Sequence, residues 1–125
     1  MKIVIILALV GVTMAMPGGW SSMSLDDPKA NELASKAVAH HNKVSNNLFY
    51  KKLVTVKSIK SQVVAGVNYE VIFDIGVTEC PKSDANSANC EVSANKVPEE
   101  CTYVFYFRPG ADEGQVTRHS CKPTA

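Results

Sequence analysis

The four cysteines are the residues whose chemistry constrains this chain most. Disulfides are predicted by an even number of cysteines in an exported chain, and each bridge contributes about 2–4 kcal/mol to stability. A zinc site is not indicated, because no two of these cysteines are two to four residues apart. A catalytic thiol is not favoured either, because all four can pair. Three pairings are open, and the sequential one closes the shortest loops. The cysteines are Cys80, Cys90, Cys101 and Cys121.

The histidines offer little metal or catalytic chemistry. On a helix, the adjacent side chains of His40 and His41 point about 100° apart, so they do not form the i, i+4 pair that binds a metal. We interpret His41 as a residue at the edge of the core. A catalytic pair of His119 with Cys121 is rejected, because that cysteine is expected in a disulfide. These residue types therefore indicate neither an enzyme nor a metal or cofactor site.

The N-terminus predicts export. Lys2 precedes an apolar run from Ile3 to Val12, and Thr13-Met14-Ala15 offers small residues for cleavage. This pattern is typical of a secretory signal peptide over residues 1–15, and the run is too short for a membrane span. The mature chain, residues 16–125, is expected to be one secreted domain.

The charge of the chain is balanced. There are 13 Lys and Arg residues against 12 Asp and Glu, which gives a formal net charge of +1. The basic residues form no stripe, and the aromatic residues are not interleaved with them. The sequence therefore gives no case for binding nucleic acid or an anionic membrane.

One helix followed by an antiparallel meander would position the cysteines. Asp27 can cap a helix that begins at Pro28, and apolar residues on one face continue it to about Val44. A β-branched stretch from Leu48 to Val64 predicts a strand. Apolar residues at every second position from Val67 to Val77 predict another, with one buried face.

A second hairpin is predicted near the C-terminus. Its strands are Thr102–Phe107 and Gln115–Cys121, joined by a turn at Arg108–Ala111. Because Cys101 and Cys121 bracket this hairpin, a bridge between its two strands is geometrically natural. Between the two hairpins, Cys80 to Glu100 is polar and predicts a long loop.

Three small, mostly uncharged segments are predicted to meet at one end of this meander. The stretch QVVAG, Gln62 to Gly66, lies at the tip of the first hairpin, and the Arg108–Ala111 turn is the tip of the second. The Gly-rich stretch Met16–Ser24 has no apolar period and predicts an extended arm that reaches the same end. A contiguous apolar edge indicates a contact site. From the pattern alone, a strand end in which Val63 and Val64 tuck under the sheet is as good an interpretation.

The combination resembles the secreted, two-disulfide (type 2) cystatins, inhibitors of papain-like cysteine proteases, over essentially the whole mature chain. The resemblance rests on the Gly18-Gly19 pair in the arm and on a Gln-x-Val-x-Gly motif at Gln62–Gly66. It also rests on TECPKS around Cys80 and on the cysteine spacings, ten residues from Cys80 to Cys90 and twenty from Cys101 to Cys121.

The resemblance implies an α+β fold in which one long helix packs across a five-stranded antiparallel sheet. It also implies reversible, tight, non-covalent inhibition of cathepsin-type proteases by a wedge made of the arm and the two tips. We expect sequential disulfides, Cys80–Cys90 and Cys101–Cys121, and a monomer without a cofactor. The implied protease-binding residues are Gly18, Gly19, Gln62, Val63, Val64, Ala65, Gly66, Pro109 and Gly110.

Two positions depart from the family pattern. The family usually carries Pro-Trp at the second tip, where this chain has Pro109-Gly110, so an alternative stays open: a secreted cystatin-scaffold binding module with weak or no inhibition. Ser45-Asn46-Asn47 is similar to the Ser-Asn-Asp stretch with which some members bind legumain. Asn46 is therefore a candidate legumain-binding residue, although a polar loop residue without that role is the simpler interpretation.

Overall fold

One helix and five strands make up the part of the chain that the computed structural model describes, residues 19–84 and 89–124. The expected signal peptide and Gly18 lie outside the described residues. Within them, no helix is both long and apolar enough to cross a membrane. The elements are β1 Trp20–Ser22, α1 Pro28–Val44, β2 Phe49–Val64, β3 Gly66–Pro81, β4 Glu99–Phe107 and β5 Gln115–Pro123.

The helix α1 begins and ends where the sequence predicts. The carboxylate of Asp27 accepts a hydrogen bond from the backbone N–H of Lys29, and Pro28 occupies the first turn. At the other end, the N–H of Ser45 donates to the carbonyl of His41. Small alanines on the buried face let the helix lie close to the sheet. The buried residues of the helix are Ala30, Leu33, Ala34, Ala37 and Val38.

The sheet is antiparallel throughout and keeps the order of the chain, β1-β2-β3-β4-β5. The core therefore lies between α1 and one face of the sheet, and the α+β fold expected above is confirmed. The alternation in β3 places Val71, Phe73 and Ile75 in this core with no exposed surface. Tyr103 and Phe105 of β4 complete it.

The strand β1 is the element that the sequence pattern did not predict. Trp20 pairs with Gln62 of β2, and Ser22 pairs with Lys60. The backbone N–H of Met23 then donates to the carbonyl of Ile59 at 2.9 Å, and its side chain packs on the core. A three-residue strand is too short to show a period of two. Backbone pairing with β2 therefore holds residues 20–22 of the arm, so this part of the arm does not extend into solvent.

Both disulfides pair in sequence, as expected. Cys101 and Cys121 lie opposite each other on β4 and β5, with 4.0 Å between their Cα atoms. Cys80, near the end of β3, is joined to Cys90 with a Cα–Cα distance of 6.4 Å. The Cys101–Cys121 bridge therefore closes the second hairpin, and the Cys80–Cys90 bridge fixes the long polar loop to the end of β3.

Candidate functional site

The first hairpin tip is the QVVAG stretch, and it is tight. Val64 pairs directly with Gly66 across a turn that has Ala65 at its apex. Gly66 has a φ of 110°, a conformation that residues with a side chain rarely adopt. Val63 is 66% exposed. The interpretation in which the valines tuck under the sheet therefore fails for Val63, which faces solvent beside the turn.

The second hairpin tip is the Arg108–Ala111 turn. The N–H of Ala111 donates to the carbonyl of Arg108 at 2.9 Å, which closes a four-residue turn. Gly110 has a φ of 76° at the third position, where a type II turn requires a positive value. Pro109 precedes it with the fixed φ that suits the second position. The turn is therefore specified by its own residues.

The two tips lie at the same end of the sheet and touch. Val67, just after the first tip, pairs with Phe107, just before the second. The phenol of Tyr106 donates a hydrogen bond to the carbonyl of Ala65 at the apex of the first turn. A side chain at Gly66 would collide with the backbone oxygen of Phe107. The second hairpin therefore braces the first tip.

The arm reaches the same end. Because Trp20 pairs with Gln62, Gly19 lies beside the exposed end of β2. The wedge is defined here as Gly19–Trp20, Gln62–Gly66 and Arg108–Ala111. Within the described residues, the structure thus brings together every protease-binding residue that the sequence predicted.

Sequence reasoning missed two side chains of this region, Trp20 and Tyr106. Trp20 is the only tryptophan of the chain and is 40% exposed. Tyr106 carries the hydrogen bond between the hairpins. A period of two in β4 could have placed Tyr106 on the face opposite Phe105, but nothing in the sequence tells which carbonyl it meets.

The space between the tips is lined by charged residues of both signs. A recess of about 290 Å³ lies there, and Lys29, Arg108 and Asp112 are among its lining residues. The ammonium of Lys29 lies 5.0 Å from the ring centroid of Phe107 and 5.5 Å from that of Tyr69. Such contacts hold a cation over aromatic faces, so Lys29 joins the helix N-terminus to the base of both tips.

Asn46 lies at the opposite end of the sheet from the wedge, in an exposed loop between α1 and β2. Lys82 holds both sides of this loop. Its ammonium donates to the carbonyl of Ser45 at 2.9 Å and to that of Asn42 at 3.0 Å. Its backbone N–H donates to the carbonyl of Leu48, also at 2.9 Å. The loop is thus exposed but fixed at its two ends.

The histidines cluster at the C-terminal half of α1 against β4 and β5. Nδ1 of His40 lies 3.0 Å from the hydroxyl of Tyr103, and the rings of His40 and His119 are 5.1 Å apart. Burial lowers the pKa of His40, and the charges of His119 and Lys43 lower it further. Burial also raises the pKa of Tyr103 to about 12. The cluster is a packed part of the fold, remote from the wedge.

His41 packs at the edge of the core, as expected. Its Nδ1 lies 3.6 Å from Sγ of Cys121. Cys101 is also close, so three residues with ligand atoms meet there. Both sulfurs belong to one disulfide, so neither is a thiolate that could bind a metal or attack a substrate. Burial lowers the pKa of His41, and Lys51 lowers it further.

Comparison with known proteins places this architecture in one family. A model of the cystatin domain matches residues 18–110. Cystatin-1 of Chilobrachys guangxiensis is 33% identical over 108 residues, covering 84% of this chain and 81% of that protein. L-cystatin of Tachypleus tridentatus is 32% identical over 122 residues, covering 94% and 92%. The crystal structure of Al-CPI superposes with a TM-score of 0.79 at 36% identity, covering 86% of this chain and all of that one.

The matched region contains the helix, the first hairpin and all of the second tip except Ala111, and the chain carries two disulfides. At the level of the family, the function is inhibition of cysteine proteases and not catalysis. The chain belongs to the cystatin family, as a type 2 cystatin.

Proposed function

We propose that this cystatin inhibits papain-like, cathepsin-type proteases by inserting the wedge into the active-site cleft, reversibly and without a covalent bond. The observation that carries the proposal is the convergence of arm and tips at one end of the sheet. Trp20 pairs with Gln62, and Val67 pairs with Phe107, so the three segments lie side by side. The proposed contact residues are those already implied by the family: Gly18, Gly19, Gln62, Val63, Val64, Ala65, Gly66, Pro109 and Gly110.

The chemistry of the first tip suits a narrow cleft. Val63 offers an exposed apolar side chain next to a turn without charged residues. Burying such a tip leaves no unpaired charge, whose desolvation would be costly. The hydrogen bond from Tyr106 to Ala65 and the strand pairing on both sides order the tip before it binds. Little conformational entropy is then lost on association.

Titration of papain with the purified protein tests the proposal. We expect full, reversible inhibition, and an intact inhibitor by mass spectrometry after the complex is dissociated. Gly66→Ala should weaken inhibition strongly, whereas Val97→Ala, at an exposed apolar residue before β4, should not change it. Absence of inhibition at micromolar protein would leave the alternative, a binding module on a cystatin scaffold.

We also propose that the protein is secreted and acts as a monomer. The two disulfides support export, because such bridges persist in oxidising compartments. Expression with the native N-terminus in a secreting host should release a chain cleaved near Ala15, as N-terminal sequencing would show. Gel filtration of that product should give the size of one chain.

A second candidate function, inhibition of legumain through Asn46, is favoured by the way Lys82 holds the loop. A protease-binding loop must be exposed and yet keep its shape, and residues 46–48 are exposed between the two points that Lys82 holds. Because this loop and the wedge are at opposite ends, Asn46→Ala should abolish legumain inhibition and leave papain inhibition unchanged. Asn47→Ala is the matched control. Equal legumain inhibition by both variants and the parent would contradict the assignment of Asn46.

A further inference from the structure

The outer face of the sheet, which is turned away from α1, carries a row of side chains directly behind the tips. Trp20 is paired with Gln62, Gln62 with Asn68, and Asn68 with Tyr106. Residues directly opposite each other on neighbouring strands project from the same face. Phe105 packs in the core beneath α1, so its neighbour Tyr106 and the whole row lie on the other face.

This outer row is uncharged and is ordered by its own hydrogen bonds. Nδ2 of Asn68 donates to Oε1 of Gln62 at 2.8 Å. Tyr106 donates to the carbonyl of Ala65, as described above. Two amides thus separate two aromatic rings, one of which is tied to the first tip. A surface of this composition offers apolar area and fixed hydrogen-bonding groups without a charge to desolvate.

Trp20 is the residue at the edge of this row. It is the only tryptophan in the sequence, it is 40% exposed, and it lies on β1, the edge strand of the sheet. Its register partner Gln62 precedes Val63, which is 66% exposed and projects from the other face of the sheet, so the ring lies on the outer side of the tip. A large, rigid aromatic ring next to a small exposed tip is typical of the residues that dominate interface energies.

We propose that Trp20 is an anchoring residue of the wedge, packing against the cleft wall of the inhibited protease on the arm side. This inference rests on the function proposed above. The indole ring covers an apolar wall, and its N–H donates to a carbonyl or carboxylate at the rim.

Dissociation kinetics from papain test this role. Trp20→Ala should release papain about tenfold faster or more, since interface tryptophans often carry at least that share of the binding energy. Trp20→Phe should dissociate at a rate between those of the parent and Trp20→Ala, because phenylalanine keeps an aromatic ring but has no N–H to donate. Val97→Ala, at an exposed apolar residue outside the wedge, is the control and should dissociate like the parent.

Fluorine NMR tests the same contact in the unsubstituted protein, so it does not require that Trp20→Ala folds. Incorporation of fluorotryptophan labels one position, because the chain has a single tryptophan. Its resonance should shift when unlabelled papain is added. An unshifted resonance in a saturated complex overturns the proposal, as does an unchanged dissociation rate for Trp20→Ala. Either result leaves inhibition itself intact, whereas a parent that does not inhibit papain refutes the proposed function and this inference together.

Discussion

The two hairpin tips both turn on a glycine with positive φ, but only the first is enclosed by the rest of the fold. At Gly66, an added Cβ would meet the backbone oxygen of Phe107 and would lie 2.9 Å from the hydroxyl of Tyr106. At Gly110, no atom of the described residues lies within 4 Å of the same position. The same residue type in the same backbone region therefore serves two purposes, close approach in the first tip and turn geometry alone in the second.

This difference separates two ways of preparing a binding loop. The first tip depends on a neighbouring strand that is far away in sequence, so its shape is coupled to the whole sheet. The second tip depends on Pro109, Gly110 and one backbone hydrogen bond, so it is a local structure. We expect the first tip to be stiff and sensitive to substitution, and the second to be tolerant and open to redesign.

Alanine at each glycine gives the largest expected effect and the sharpest test of this comparison. In both variants, a side chain in the left-handed region lowers the free energy of unfolding by about 1–2 kcal/mol. Gly66→Ala also forces an overlap with Phe107, and such overpacking adds about 1–3 kcal/mol. Chemical denaturation should therefore show a larger loss for Gly66→Ala, and papain affinity should fall with it. Equal losses of stability at the two glycines would show that the enclosure of Gly66 is without energetic consequence.

Removal of the Tyr106 hydroxyl should have an intermediate effect. Tyr106→Phe deletes the hydrogen bond to Ala65, and such bonds contribute about 0.5–1.5 kcal/mol. The first tip then samples more conformations, so papain affinity should fall up to about tenfold. Tyr50→Phe, near the start of β2, removes a phenol hydroxyl away from the tips and serves as the control. An unchanged inhibition constant for Tyr106→Phe would mean that strand pairing alone shapes the tip.

A tryptophan at the second tip should have a small net effect. An interface tryptophan contributes about 2 kcal/mol or more. Gly110→Trp also strains the turn by about 1–2 kcal/mol at the φ of 76°, so the unbound tip relaxes out of this turn and binding must restore it at that cost. Papain binding should therefore tighten by no more than about fivefold. Gly110→Ala has the same backbone strain but no indole ring. The ratio of the papain dissociation rates of the two variants therefore measures the contact that the ring makes. If both variants dissociate equally fast, the second tip does not reach the protease through this position.

Acid should weaken the fold through the histidine cluster while leaving the tips intact. A histidine whose pKa is lowered on folding contributes stability above its unfolded pKa of about 6.5, and that stability is lost as the pH falls through the folded pKa. His40 and His41 both have lowered pKa values, chiefly because they are partly buried. The free energy of unfolding should thus decrease from pH 7 to pH 5.

The variant His41→Gln tests the acid effect directly. It removes one of the two titrating groups, so the loss of stability between pH 7 and pH 5 should be smaller than in the parent. Papain inhibition, measured where the protein is still folded, should be the same for both because His41 lies away from the wedge. If the free energy of unfolding has the same pH dependence in the parent and the variant, His41 is excluded as a source of the acid effect.

The sequence by itself determined the features that depend on neighbours in the chain. Asp27 and Pro28 specify the start of α1, the period of two specifies β3, and Pro109-Gly110 specifies the second turn. The cysteine count specified that bridges form, although pattern alone left three pairings open. These features follow from backbone sterics, capping and side-chain period, which act over a few residues and can be read without the fold.

Tertiary structure alone decided which distant segments touch. The pairing of Trp20 with Gln62, the hydrogen bond from Tyr106 to Ala65 and the hold of Lys82 on the loop at Asn46 all join residues far apart in sequence. No local pattern encodes them, because a three-residue strand shows no period and a phenol or ammonium can bond to any carbonyl within reach. Their partners are fixed only when the sheet has paired and α1 has packed across it.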